Sequence, residues 1–182
     1  MKKVILAALV AVASLSANAQ VWIGGDLSFD FTKADKNAKT VSSILVAPEV
    51  GYMFNEKWGI YADINFASIS KQGPAADQTL NSFGFEVAGR YVFAKSGIAS
   101  FFVDGGVGMD FYNKSRGSKF YVGFKPGVKF AASEKIELVA QIGTLGVAFG
   151  NEKAQAAGTA NKSEFGLGVH NDALSLGIAY NF

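Results

Sequence analysis

The chain has 182 residues, among them 21 glycines and 16 phenylalanines but only 3 prolines and no cysteine, with 17 basic side chains against 15 acidic ones. Without cysteine it can be neither a disulfide-stapled secreted domain nor a lipid-anchored lipoprotein, and a net charge of +2 lacks the basic excess of a nucleic-acid binder. The glycine and aromatic bias favours β structure.

Lys2 and Lys3 open the chain, an apolar run follows over residues 4–13, and Ala17, Asn18 and Ala19 precede Gln20. A charged start, an apolar middle and a small-x-small site describe a secretory signal peptide, and the run is too short for a membrane-spanning helix. Residues 1–19 are therefore expected to be cleaved, leaving 20–182 as one domain. Removing Lys2 and Lys3 from the 17 basic residues leaves 15, equal to the acidic count.

From Val21 the odd positions Ile23, Leu27, Phe29 and Phe31 are apolar, whereas the even ones include Asp26, Ser28 and Asp30. This period of two marks a strand with one hydrocarbon and one polar face. A polar stretch, 33–40, ends it. The second strand sets Ile44, Val46, Pro48, Val50, Tyr52 and Phe54 against Ser43, Leu45, Ala47, Glu49 and Gly51, then turns at Asn55, Glu56 and Lys57. The third places Trp58, Ile60, Ala62, Ile64 and Phe66 opposite Gly59, Tyr61, Asp63 and Asn65, before a longer loop over 70–79. In the fourth, Phe83, Phe85, Val87, Tyr91 and Phe93 oppose Ser82, Glu86, Ala88 and Arg90, and Lys95, Ser96 and Gly97 make the next tight turn.

The fifth strand sets Phe101, Val103, Val107, Met109 and Phe111 against Phe102, Asp104 and Asp110. After a loop over 113–118, the sixth alternates Phe120, Val122, Phe124, Pro126, Val128 and Phe130 with Lys119, Tyr121, Lys125 and Lys129. Beyond the turn at Ser133, Glu134 and Lys135, the seventh begins with Ile136, Leu138, Ala140 and Ile142 opposite Glu137, Val139 and Gln141, but its alternation blurs over 144–149. The longest loop spans 150–163. Phe165 and Leu167 are then apolar on odd positions, while Leu174, Leu176, Ile178, Tyr180 and Phe182 use even ones. One extra residue reverses the facing of a strand, so a bulge is expected over 170–173.

Eight strands joined alternately by longer loops and tight turns predict an all-β fold, an eight-stranded antiparallel up-and-down transmembrane β-barrel. About 11 residues per strand at about 3.3 Å each, tilted by about 40°, give an apolar band near 25 Å tall. The sequence is similar to the family of small eight-stranded outer-membrane barrels typified by OmpX and the membrane domain of OmpA. Pro48, Glu49, Val50, Gly51 and Tyr52 resemble its second-strand motif, and Leu174, Leu176, Ile178, Tyr180 and Phe182 resemble its terminal assembly signal. The resemblance implies a Gram-negative outer-membrane location, both termini periplasmic, contact with lipid and lipopolysaccharide, and insertion by the barrel-assembly machinery. A monomer is expected.

With the apolar face outward, Asp26, Glu49, Asp63, Glu86, Arg90, Asp104, Lys125, Lys129, Glu137 and Gln141 are expected to fill the interior as a polar network. An eight-stranded barrel is only wide enough for side chains, and buried charges persist when paired. A static plug is the reading adopted; a gate in which Arg90 and Lys125 exchange partners is its sharper form. Trp22, Tyr52, Trp58, Tyr91 and Phe93 lie near the turn-side strand ends and are expected to form a periplasmic aromatic girdle. A single histidine, His170, leaves no defined nucleophilic triad and no metal set, so no catalytic residue or cofactor is expected. The function expected is structural or surface-exposed and non-catalytic. The rivals are a small pore or transporter for ions or small apolar compounds, and a soluble lipocalin-like calyx with its apolar face inward.

Overall fold

A computed structural model of the chain describes residues 20–33, 40–72, 78–113, 116–158, 160–167 and 174–182. The expected signal peptide, the middles of the first two loops, His170 and the expected bulge over 170–173 lie outside the described residues. The strands are β1 (Gln20–Lys33), β2 (Thr40–Met53), β3 (Trp58–Gln72), β4 (Gln78–Ser96), β5 (Ala99–Tyr112), β6 (Ser118–Ala131), β7 (Ile136–Ile142), β8 (Leu145–Gly150), β9 (Glu164–Leu167) and β10 (Leu174–Asn181). A short helix, α1 (Glu152–Ala156), follows β8.

Each strand from β1 to β6 pairs antiparallel with the next. β6 then pairs with β7 at its turn end and with β8 beyond it, β8 pairs with β9, and β7 with β10. β10 pairs with β1, which closes the ring. β7 with β8 and β9 with β10 each make one stave, so the closed barrel has eight. Closure removes the free edges that would otherwise template aggregation.

The division of the seventh stave explains its blurred alternation. Ile142 points outward, Gly143 and Thr144 both turn inward, and Leu145 points outward again, at 56% exposure for Ile142, 1% for Thr144 and 47% for Leu145. Two successive inward residues reverse the parity, so Leu145 and Phe149 continue the apolar face on odd positions. Gly143 absorbs the break with a φ of 22°, a backbone region that favours glycine.

Tight turns gather at one end. Asn55 Oδ1 accepts from the backbone N–H groups of Lys57 at 2.9 Å and Trp58 at 3.0 Å, and Ser133 Oγ accepts from Ile136 at 3.1 Å. Such local bonds are why Asn and Ser initiate turns. Phe182 donates its backbone N–H to Val21 at 3.0 Å, fixing the last residue beside the start of β1 at that same end. At the other end Asn151 caps α1, accepting from the Ala154 N–H at 2.9 Å while its amide donates to Ser118 Oγ at 3.0 Å.

Among the described residues the polar parity is mostly buried and the apolar parity mostly exposed. On β3, Tyr61, Asp63 and Asn65 are buried while Ile60, Ile64 and Phe66 are exposed. That is the reverse of a soluble calyx, whose apolar face must turn inward, so the lipocalin-like alternative does not describe this fold. Val87, halfway up β4 opposite Ala62 and Val107, stands in the middle of the apolar wall. Val87→Arg should cost about 2–4 kcal/mol, read from urea unfolding in phospholipid vesicles; an unchanged midpoint would show that this wall does not face hydrocarbon.

Candidate functional site

The interior is layered. Trp22, Met53, Tyr61, Ala88, Val92, Phe102, Val139 and Ala179 form a buried apolar cluster at the turn end. Most occupy inward positions within a few residues of a turn or terminus, where seven staves converge on one floor. Glycine makes the packing possible: a Cβ on Gly51 would overlap the Trp22 ring, and one on Gly127 would overlap Phe102.

Arg90 rises from this floor. Its guanidinium carbon lies 4.3 Å from the Phe102 ring centroid, 5.1 Å from Tyr61 and 5.2 Å from Trp22. Arginine over desolvated aromatic faces gains cation–π attraction of about 2 kcal/mol in favourable cases. The fork donates Nε to Asp104 Oδ1 at 2.9 Å and Nη2 to Oδ2 at 2.8 Å. This bidentate geometry is the strong form of the charge-assisted bond. Gln141 Nε2 also donates to Asp104 Oδ2 at 2.8 Å, and Ser175 Oγ donates to Gln141 Oε1 at 3.5 Å.

Glu86 centres the next layer. It accepts from Tyr61 OH at 3.1 Å and Tyr121 OH at 2.9 Å, and its Oε1 lies 2.9 Å from Lys125 Nζ. Tyr121 reaches Glu86 because Gly108, its cross-strand partner, leaves the ring room. Asp63 is the direct cross-strand neighbour of Glu86. Trp22 Nε1 donates to Glu49 Oε1 at 2.8 Å, and Asp26 lies over Gly177, where a Cβ would overlap its carboxylate. Lys129 and Glu137 pair separately at 2.9 Å near the turn end. Beyond the middle, Lys119 lies 3.9 Å from both Asp110 and Glu164.

Glu49, Asp63, Glu86, Arg90, Asp104, Lys125 and Gln141 are buried, and Asp26, Lys129 and Glu137 are part-buried. The structure joins Arg90, Asp104 and Gln141 in one group and Glu86 with Lys125 in another, while Lys129 and Glu137 stand apart. Trp22 is a correction: it is 3% exposed and points inward to Glu49, so it does not belong to the outer girdle. Its even position in β1 already assigned it to the polar parity, and a buried indole N–H needs an acceptor. Trp58 and Tyr91 stack outside with centroids 4.4 Å apart, Tyr52 meets Phe54 at 5.3 Å, and Phe93 meets Phe101 at 6.4 Å. Leu174, Leu176, Ile178, Tyr180 and Phe182 all point outward. Sequence reading missed the tyrosine hydroxyls on Glu86 and the apolar floor, although Phe102, Val139 and Tyr121 stand on the polar parity where such partners could be sought. Among the described residues, no group of three His, Cys, Asp or Glu side chains could hold a metal ion.

The sequence matches the family described as the outer membrane protein beta-barrel domain over residues 4–182. Among solved structures, it is similar to the outer membrane protein OprG from Pseudomonas aeruginosa, with 15% identity and a TM-score of 0.49 over 90% of this chain and 95% of that one. It is also similar to Ail, the attachment invasion locus protein of Yersinia pestis, with 16% identity and a TM-score of 0.44 over 90% of this chain and 97% of that one. No curated protein matches it.

Proposed function

The chain belongs to the outer membrane protein beta-barrel domain family, and from that membership we propose that it is a filled, non-conducting barrel whose role is structural or surface-exposed and not catalytic. The observation that carries this reading is the interior itself. Arg90 and Asp104 are locked bidentate above an apolar floor of eight buried residues, with Glu86 and Lys125 paired directly above. An ion crossing the barrel would have to separate buried charge pairs and then pass through hydrocarbon side chains. Both steps are costly where water cannot replace the lost partners.

In this proposal the tight turns, the termini and the Trp58–Tyr91 girdle lie in the periplasmic leaflet, and the longer loops face outside. Lipid and lipopolysaccharide surround a monomer, which the barrel-assembly machinery inserts by reading the outward residues of β10. Planar-bilayer recording tests the central point. The refolded protein should give no stepwise conductance, and neither should Glu86→Gln; unitary currents from the wild type that Glu86→Gln alters would establish the pore instead.

A further inference from the structure

At the closing seam β10 lies between β1 and β7, and the outward side chains of these three strands form successive rungs. Gly25, Ile178 and Leu138 make one rung, and Leu27, Leu176 and Ala140 make the next. Each rung ends in a small residue, on opposite sides, so the four large aliphatic side chains stand as ridges with a groove between them. Gly25, Leu27, Leu138, Leu176 and Ile178 line this groove, whose volume is about 410 Å³. That is the size of a small-molecule pocket, and it opens on the outer wall, where the four large side chains are between 46% and 60% exposed. Its lining side chains are all aliphatic, which suits a hydrocarbon chain.

One rung nearer the turns, Ile23, Tyr180 and Ile136 cross the same three strands, two residues or about 7 Å further along. Lys135 immediately precedes Ile136, and its ammonium lies 5.6 Å from the centroid of the Tyr180 ring. This cation–π contact holds the charge against the outer wall at the turn end of the groove. Among the described residues Lys135 makes no ion pair, whereas Lys95 on another turn lies 3.3 Å from Glu56. A neutral lipid would fill the groove and leave this ammonium unmatched; an anionic headgroup answers both. We propose that the seam is a binding site for one anionic glycerophospholipid, with an acyl chain in the groove and the phosphate on Lys135 beside Tyr180. The site rests on the reading of the outer wall as lipid-facing and names the lipid that this face holds. It is independent of whether the barrel conducts and of which leaflet the turns occupy.

Native mass spectrometry of the refolded barrel in mild detergent, titrated separately with phosphatidylglycerol and with phosphatidylcholine of the same acyl chains, reads the site directly. The first phosphatidylglycerol should bind saturably and at least about fivefold more tightly than phosphatidylcholine, the gain from one lysine at an anionic headgroup. Lys135→Gln should remove that preference and leave phosphatidylcholine binding unchanged. Gly25→Leu, which fills the groove, should weaken both lipids, and both variants should keep the heat-modifiable migration of a folded barrel. Lys95→Gln should bind as the wild type does. Equal affinity for the two lipids, an unchanged preference in folded Lys135→Gln, tighter binding of lipid A than of phosphatidylglycerol, or a dimer that Gly25→Leu abolishes would each overturn the site. Failure of the wild type to bind either phospholipid would overturn the lipid-facing wall as well.

Discussion

Asp104→Leu should destabilise the barrel by about 3–5 kcal/mol, the cost of leaving one member of a buried ion pair without its partner. Three bonds end on this carboxylate: the two from the Arg90 fork and one from the Gln141 amide. Removing it strands a guanidinium that is 3% exposed and enclosed by three aromatic rings, which cannot rotate toward solvent. The measurement is urea unfolding in phospholipid vesicles, followed by the fluorescence of Trp22 and Trp58. Because the loss comes from the orphaned charge and not from missing volume, Arg90→Met combined with Asp104→Leu should recover most of it. A double variant as unstable as the single one would mean that the pair acts through packing alone.

Glu86→Leu should cost a similar amount, about 3–5 kcal/mol, by another distribution of losses. It leaves the Lys125 ammonium without its carboxylate and removes the acceptor of two tyrosine hydroxyls. Glu86→Gln keeps an acceptor for Tyr61 or Tyr121 while removing the charge, so its cost should fall between those of wild type and Glu86→Leu in the same assay. Lys125 is also the direct cross-strand neighbour of Asp104. The two lesions therefore share surroundings, and Asp104→Leu with Glu86→Leu should not add, since contacting sites couple by about 0.5–3 kcal/mol. Strict additivity would show that the two groups are electrostatically independent.

These effects rest on partnerships that the sequence supplies only in part. The alternation around Asp104 and Glu86 assigns both to the interior, and the turns at Asn55, Gly97 and Ser133 place the short connections at one end. The paired step at Gly143 and Thr144 was not legible, because glycine and threonine there fit either a strand or a loop. Its signature was the reversed parity of Leu145 and Phe149, which mirrors the reversal between Phe165 and Leu174. An aromatic residue near a strand end suits either the membrane interface or the barrel floor; the even position of Trp22 decides for the floor, and Glu49 accepts its indole N–H there.

What the sequence by itself determined is the face each side chain takes, since a period of two is a property of the local backbone. With it came the number of staves, which end carries the turns, and the outward apolar wall. What only the tertiary structure decided is which inward side chains meet. Arg90 on β4 finds Asp104 on β5 and Gln141 on β7, and Glu86 on β4 gathers Tyr61 from β3 and both Tyr121 and Lys125 from β6. Those meetings depend on strand register and on closure, which bring residues from non-neighbouring staves together across a narrow lumen. They depend also on Gly108, Gly127 and Gly177, whose missing side chains let large neighbours lean across the interior.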